Sequence, residues 1–210
     1  MQMRYILSIL ISTNLWLCGQ AQYFAGKVIY RQVVTSKMPG LTDSALSAMV
    51  GNEESYFIKG GYYQSMTNGT GFSMQQYDHR TNRLYFKNPD VDTLYWVDAG
   101  KSTDKPVSYE TREDAETILG KRCDALVVQT ANGTTVFYYS PRYKLDAAMF
   151  LKHLYGGWAF YVSKTGCLPL RTVIDNDKFH LESTATEVLE LDLKDSFFDI
   201  SPTIPQVKFK

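Results

Sequence analysis

The sequence predicts a mainly β protein: a strongly curved antiparallel sheet with one or two helices packed against its concave face. Three observations lead there. Tyrosine (15) and phenylalanine (11) are abundant, and these side chains suit a pleated, half-buried surface. Apolar residues recur with a two-residue period in one short run after another. Clusters of Gly, Asn, Asp and Pro break those runs at short intervals, which marks antiparallel strands joined by tight turns rather than a parallel α/β sheet.

The first 21 residues are expected to be a removable export signal. Arg4 supplies a basic start, Ile6 to Leu17 is mostly apolar, and Gly19-Gln20-Ala21 places small residues where a signal peptidase reads. Ser8, Ser12, Thr13 and Asn14 spoil the alternative of a buried helix, and the stretch is short for a bilayer span. Bulky Leu17 before Cys18 argues against lipid attachment. Cleavage after Ala21 leaves residues 22–210 as a single domain, periplasmic or secreted, with no membrane span. It carries 21 basic against 22 acidic residues once Arg4 is gone, a net charge of −1. Such a surface has neither the basic stripe that nucleic acid demands nor a pull toward an anionic membrane.

In the first strand Val28, Tyr30, Gln32 and Val34 face one way, and Lys27, Ile29, Arg31 and Val33 the other. Apolar residues on both faces suggest that one face is covered, or lined for a ligand. A helix over Leu41 to Val50 follows, with Leu41, Ala45, Leu46 and Met49 at helical spacing and Gly51-Asn52 as its stop. Strands are then expected over 54–59, 62–66, 72–77, 83–87 and 93–97. Turns at Lys59-Gly60-Gly61, Thr67-Asn68-Gly69, Asp78 to Asn82 and Asn88-Pro89-Asp90 separate them. Further strands are expected over 124–130, 134–140, 159–163, 170–174 and 178–191. A second helix is expected over Lys144 to Leu154, ended by Gly156-Gly157. The tail from Phe197, with Pro202 and Pro205, should be extended.

Chemistry-bearing motifs are scarce. His79, His153 and His180 fall in a turn, a helix and a strand with no metal-ligand spacing, so neither a metal nor another cofactor is expected. No Gly-x-Ser-x-Gly occurs, Asp175-Asn176-Asp177 lacks the glycine and glutamate of a calcium loop, and no glycine pair has phosphate-loop register. No catalytic residue is therefore singled out, and the chain is expected not to be an enzyme. Without Cys18, Cys123 and Cys167 form an even pair in an oxidising compartment. A disulfide between them would add about 4 kcal/mol on the chain-entropy model. In a plain meander the two lie at opposite ends of the sheet, so two separate buried thiols remain the other reading.

Aromatic side chains are numerous enough either to line a cavity or to fill one. Tyr85, Tyr95, Trp96, Phe137, Tyr139, Phe150 and Trp158 are the candidate ligand-binding residues. Alternation sends one ring of each pair, such as Tyr95-Trp96, inward and the other outward, where it could meet a partner.

The run Glu116-Thr117-Ile118-Leu119-Gly120-Lys121-Arg122-Cys123 resembles the signature of a family of exported bacterial proteins known only as a domain of unknown function. Phe24 to Tyr30, Leu168-Pro169-Leu170 and Phe197 to Pro202 extend the resemblance over nearly the whole chain after the leader. The second cysteine, Cys167, departs from the commoner pattern. The resemblance implies a half-barrel similar to periplasmic lipoprotein carriers, and it transfers no catalytic residues. Within the run, Gly120 suits a bend and Ile118 and Leu119 suit apolar anchoring, so a structural corner is expected. Two functions follow as expectations. One is a carrier that shelters an apolar small molecule or lipid, such as an acyl chain. The other is an interaction module with a protein partner in a cell-envelope assembly.

Overall fold

The computed structural model describes residues 23–102 and 104–209. The expected leader, with Cys18 and the cleavage point at Ala21, lies outside the described residues. A single sheet of twelve strands forms the body. β1 (Gly26–Ser36) lies near its middle. From it β2 (Glu53–Lys59), β3 (Tyr62–Thr67), β4 (Met74–Asp78), β5 (Arg83–Lys87) and β6 (Leu94–Asp98) step outward as an antiparallel meander. The chain then crosses to the far edge. There β7 (Pro106–Ile118), β8 (Lys121–Thr130), β9 (Gly133–Lys144), β10 (Cys167–Asn176) and β11 (Phe179–Glu190) step back until β11 pairs with β1. The tail, expected extended from Phe197, begins in a 3-10 turn (Asp195–Phe198) and is extended only at its end, in β12 (Gln206–Lys208), parallel to β6.

The sheet is strongly curved, as three ring contacts demonstrate. Tyr63 on β3 meets Trp158 at 6.0 Å, Trp158 meets Tyr161 at 5.4 Å, and Tyr161 meets Phe137 on β9 at 4.3 Å. In a flat sheet β3 and β9 would stand about 24 Å apart, five strand spacings. One short helix bridges them only because the sheet wraps around it. The alternation in β1 holds: Val28, Tyr30 and Val34 are buried, while Arg31 and Val33 are exposed.

Two α-helices pack on the inner face. α1 (Asp43–Val50) forms where the helical spacing predicts it, with Thr42 Oγ1 accepting from the Ala45 N–H at 3.2 Å and Leu46 buried against the sheet. Its C-terminal turn is clamped by the β3–β4 loop, where Thr70 and Gly71 N–H groups donate to Ala48 and Met49 carbonyls. A Cβ on Gly69 would stand 2.5 Å from the Met49 carbonyl oxygen, so this approach requires glycine.

α2 (Trp158–Thr165) corrects the strand expected over 159–163. The run is rich in strand-favouring aromatics, but Ala159, Tyr161 and Val162 share a buried helical side. Gly157 (φ 72°) and Gly166 (φ 57°) supply the left-handed residues that start and stop it. The helix expected over 144–154 is also corrected. β9 runs on to Lys144, opposite Cys167. Asp146 then accepts from the Ala148 N–H at 3.1 Å, capping a single 3-10 turn, Ala147–Phe150. An Asp at that point favours a cap over a helix interior. Gly156-Gly157 therefore opens the helix after it rather than ending one before.

The outer face carries its own cover over β2 to β5. The 3-10 turn Asp195–Phe198 places Phe198 against Tyr62 at 5.6 Å, and Gln76 Nε2 donates to the Phe198 carbonyl.

The Glu116 to Cys123 run is a hairpin corner, as expected. Ile118 faces Lys121 across Leu119 and Gly120, both left-handed (φ 50° and 68°), the geometry of a two-residue I′ turn. Ile118 anchors it; Leu119 is exposed instead. The preceding strand β7 has no counterpart among the expected strands.

Cys123 and Cys167 are buried and unbonded. The chain between β9 and β10 returns to the end it left, so the two cysteines lie at the same end of the sheet, not at opposite ends. With β9 between them, and Cys167 opposite Lys144 while Asp124 is opposite Tyr139, their backbones stand at least about 10 Å apart, two strand spacings, beyond the reach of a disulfide. Burial raises both thiol pKa values, that of Cys167 to about 11, which keeps them protonated and unreactive.

Candidate functional site

Strand alternation sends Tyr30 and Gln32 of β1, Glu54 and Tyr56 of β2, and Tyr63 and Ser65 of β3 to the face beneath the helices. The register sets Tyr30 opposite Glu54 and Tyr56 opposite Ser65. Gln32 and Ser65 are thus diagonal neighbours of Glu54 on either side, within side-chain reach. Gln32 Nε2 donates to Glu54 Oε2 at 2.8 Å, and the Ser65 hydroxyl donates to Glu54 Oε1.

Burial raises the Glu54 pKa; the Ser65 and Gln32 hydrogen bonds offset only part of that. No lysine or arginine among the described residues pairs with it. The phenols of Tyr30, Tyr56 and Tyr63 are raised first by their own burial and further by the nearby carboxylate. Tyr30 satisfies its hydroxyl by donating to the Pro169 carbonyl at 2.7 Å. Gln32 Oε1, turned away from the acceptor-only carboxylate, is buried without a partner.

Gln32, Ser65, Thr67 and Gln75 form the polar floor of a groove of about 310 Å³. Its walls are Leu46, Met49 and Val50 of α1, Phe72 and Met74 at the β3–β4 turn, and Phe86 of β5. Phe72 and Phe86 meet at 5.4 Å along the rim. This volume lies at the lower end of the range typical of small-molecule pockets, about 300–1,000 Å³.

Beyond this floor the inner face is filled. His153 is 1% exposed, sits 4.1 Å from the Tyr77 ring, and shares a 2.8 Å hydrogen bond between its Nε2 and the Tyr63 hydroxyl. Burial lowers its pKa to about 4, so it is neutral at physiological pH. His153 Nδ1, Trp158 Nε1 and Tyr161 Oη are all buried without hydrogen-bond partners.

The structure divides the aromatic candidates. Phe150 and Trp158 lie in the packed interior with Tyr77 and His153, and Phe137 and Tyr139 pack on Tyr161. Tyr95 pairs with Phe86, a groove wall, and packs on Phe209. Tyr85 and Trp96 point to the outer face, where Arg83 covers the Trp96 ring at 4.0 Å. None of the seven lines the groove beneath α1. A second cleft, lined by Phe137, Val128, Phe160 and Ile174, holds about 190 Å³. A larger outer hollow of about 590 Å³, at Tyr23, Arg142, Glu190 and Asp192, has only a 3.3 Å exposed Arg142–Glu190 pair to offer. In the groove beneath α1 apolar walls meet a polar floor backed by the half-buried Glu54 carboxylate; the second cleft has Asp104 at its edge, one carboxylate oxygen of which is buried without a partner.

Sequence reasoning missed Glu54, Gln32, Ser65 and the groove wall. The available signal was parity: polar residues at the inward positions of three adjacent strands.

No family model matches the chain, and no curated protein matches it. Among solved structures it is similar to PNGF-II in two crystal forms. The first gives a TM-score of 0.47 at 14% identity over 89% of this chain, and the second 0.46 at 13% over 89%. The chain spans about a third of the length of those structures, 31% and 32%.

Proposed function

We propose that this chain is a non-catalytic binding protein that shelters an apolar small molecule, an aliphatic or acyl chain, in the groove between α1 and strands β3 to β5. In this reading it acts outside the cytoplasm after loss of residues 1–21. The observation that carries the proposal is the groove itself, apolar on its walls and polar only at its floor. Apolar walls supply affinity through surface removed from water, about 25 cal/mol per Å² before the costs of association. A few floor groups orient the ligand. Met49 and Met74, with three rotatable bonds each, let the wall adapt to chains of different shape.

The test is extraction of the purified native protein with organic solvent, with mass spectrometry of the extract, alongside binding of a fluorescent alkyl probe. Retained aliphatic compounds, and probe binding that Leu46→Trp abolishes by filling the groove, are the expected results. No retained compound together with no probe binding overturns the reading. Probe binding untouched by Leu46→Trp overturns the location.

A further inference from the structure

Behind the groove floor, where Gln32 lies between β2 and the groove, two acceptors stand without a full set of donors, the Glu54 carboxylate and Gln32 Oε1; Ser65, Thr67 and Gln75 complete the polar lining. Glu54 accepts from Gln32 and Ser65, one bond to each oxygen, which leaves further lone pairs on both. Gln32 has committed an N–H to Glu54, and its Oε1 is buried with no donor in reach. Reversing that amide would set an oxygen against a carboxylate oxygen, so the unpartnered acceptor follows from the Glu54 contact. Tyr30 has committed its proton to the Pro169 carbonyl. No basic side chain among the described residues answers the carboxylate. A buried charge without a counter-ion is costly, and an unsatisfied buried acceptor costs about 1–3 kcal/mol. Both costs fall on the same few atoms, directly behind the groove wall.

We propose that the ligand of this groove is an aliphatic chain ending in a primary ammonium, with Gln32 Oε1 and the Glu54 carboxylate as its acceptors. The inference deepens the proposed binding function and rests on it. An ammonium brings three donors and one positive charge and needs no acceptor of its own, the complement of this floor. A carboxylate head would set charge against charge, and a hydroxyl would answer one acceptor while leaving the charge unpaired. The Gln32 side chain lines the groove with Glu54 bonded to it from behind, so the head group enters beside Gln32 while the alkyl chain lies along Leu46, Met49 and Phe86.

Isothermal titration at pH 8 of the protein lacking residues 1–21, with decylammonium chloride, sodium decanoate and decan-1-ol, tests this. Decylammonium is expected to bind at least tenfold more tightly than either of the others. Glu54→Gln, which keeps the shape, removes the charge and exchanges one acceptor oxygen for a donor, should remove that preference while decan-1-ol binding persists. Gln32→Leu should weaken decylammonium alone. Equal or tighter binding of decanoate, or a preference that survives Glu54→Gln, overturns the ammonium inference and leaves the apolar groove standing. Failure of all three probes to bind overturns both.

Discussion

The two faces of one sheet treat their carboxylates in opposite ways. On the outer face Glu182 accepts from Arg171 Nη2 at 2.6 Å and lies 3.2 Å from His180 Nε2. Arg171 also reaches both oxygens of Glu116 at 2.9 and 3.0 Å, and His180 continues to Asp175, which Lys37 holds at 2.6 Å. Every acid in this ladder faces a base. The Glu182 pKa is accordingly lowered, by His180 first and then Arg171, and that of His180 is raised, by Glu182 first. On the inner face Glu54 has only neutral donors and its pKa is raised by burial. The outer ladder leaves one donor over, the buried Arg171 Nε, whereas the inner face leaves acceptors over, Gln32 Oε1 beside an unpaired Glu54. The proposed site inside the curve draws on that difference.

The largest expected effect tests how the inner face is held. Tyr161→Ala empties the contact between β3 and β9 and should cost about 3–5 kcal/mol in urea unfolding. Tyr161→Phe should cost little, because the lost hydroxyl has no partner. Equal losses from the two would mean that the hydroxyl, not the packing, holds the curve. His153 comes next. Its folded pKa of about 4 lies below the ordinary imidazole value of 6.5, so the unfolded chain takes up a proton first as pH falls. Stability should therefore drop between pH 6.5 and 4 by about 3 kcal/mol, and His153→Phe should flatten that slope.

Arg171→Leu should cost about 1–2 kcal/mol, since both its ion pairs are partly wet. The pH window of the ladder follows from two signs. The His180 contribution is full below 6.5 and fades as pH rises through its raised folded value. The Glu182 contribution is full above 4.5 and fades as pH falls through its lowered one. Arg171 pairs with Glu182 and Glu116 and not with His180, so the Arg171→Leu loss should be full above pH 4.5 and fade as pH falls below it. The smallest effect has the opposite sign. The raised pKa of Glu54 makes the folded chain hold its proton longer, so stability declines as pH rises above 4.5. Glu54→Gln should raise stability at neutral pH, and a loss there would show that the ionised carboxylate is well satisfied after all.

Most strands were legible because their turn residues are unambiguous: Gly60-Gly61 and Asn132-Gly133 bracket runs whose alternation survives in the fold. β7 was not legible. It is an edge strand exposed along nearly its whole length, so no apolar alternation marks it. The 144–165 region was not legible because period alone cannot separate a short aromatic helix from a strand; Gly156-Gly157 suits the stop of a preceding helix as well as the start of α2. The cysteine separation depended on where the chain returns after β9, a tertiary fact. At the site, parity marks Glu54 as inward, but only the register, which sets it opposite buried Tyr30 and diagonal to Gln32 and Ser65, brings the polar side chains of three strands together.

The most direct test of the contrast between the faces is a side-chain carboxyl 13C NMR titration that assigns Glu54 and Glu182. Glu54 is expected to titrate above 4.5 and Glu182 below it, with Glu54 moving down when decylammonium is added. Glu54 titrating at or below Glu182, unmoved by decylammonium, would contradict the account.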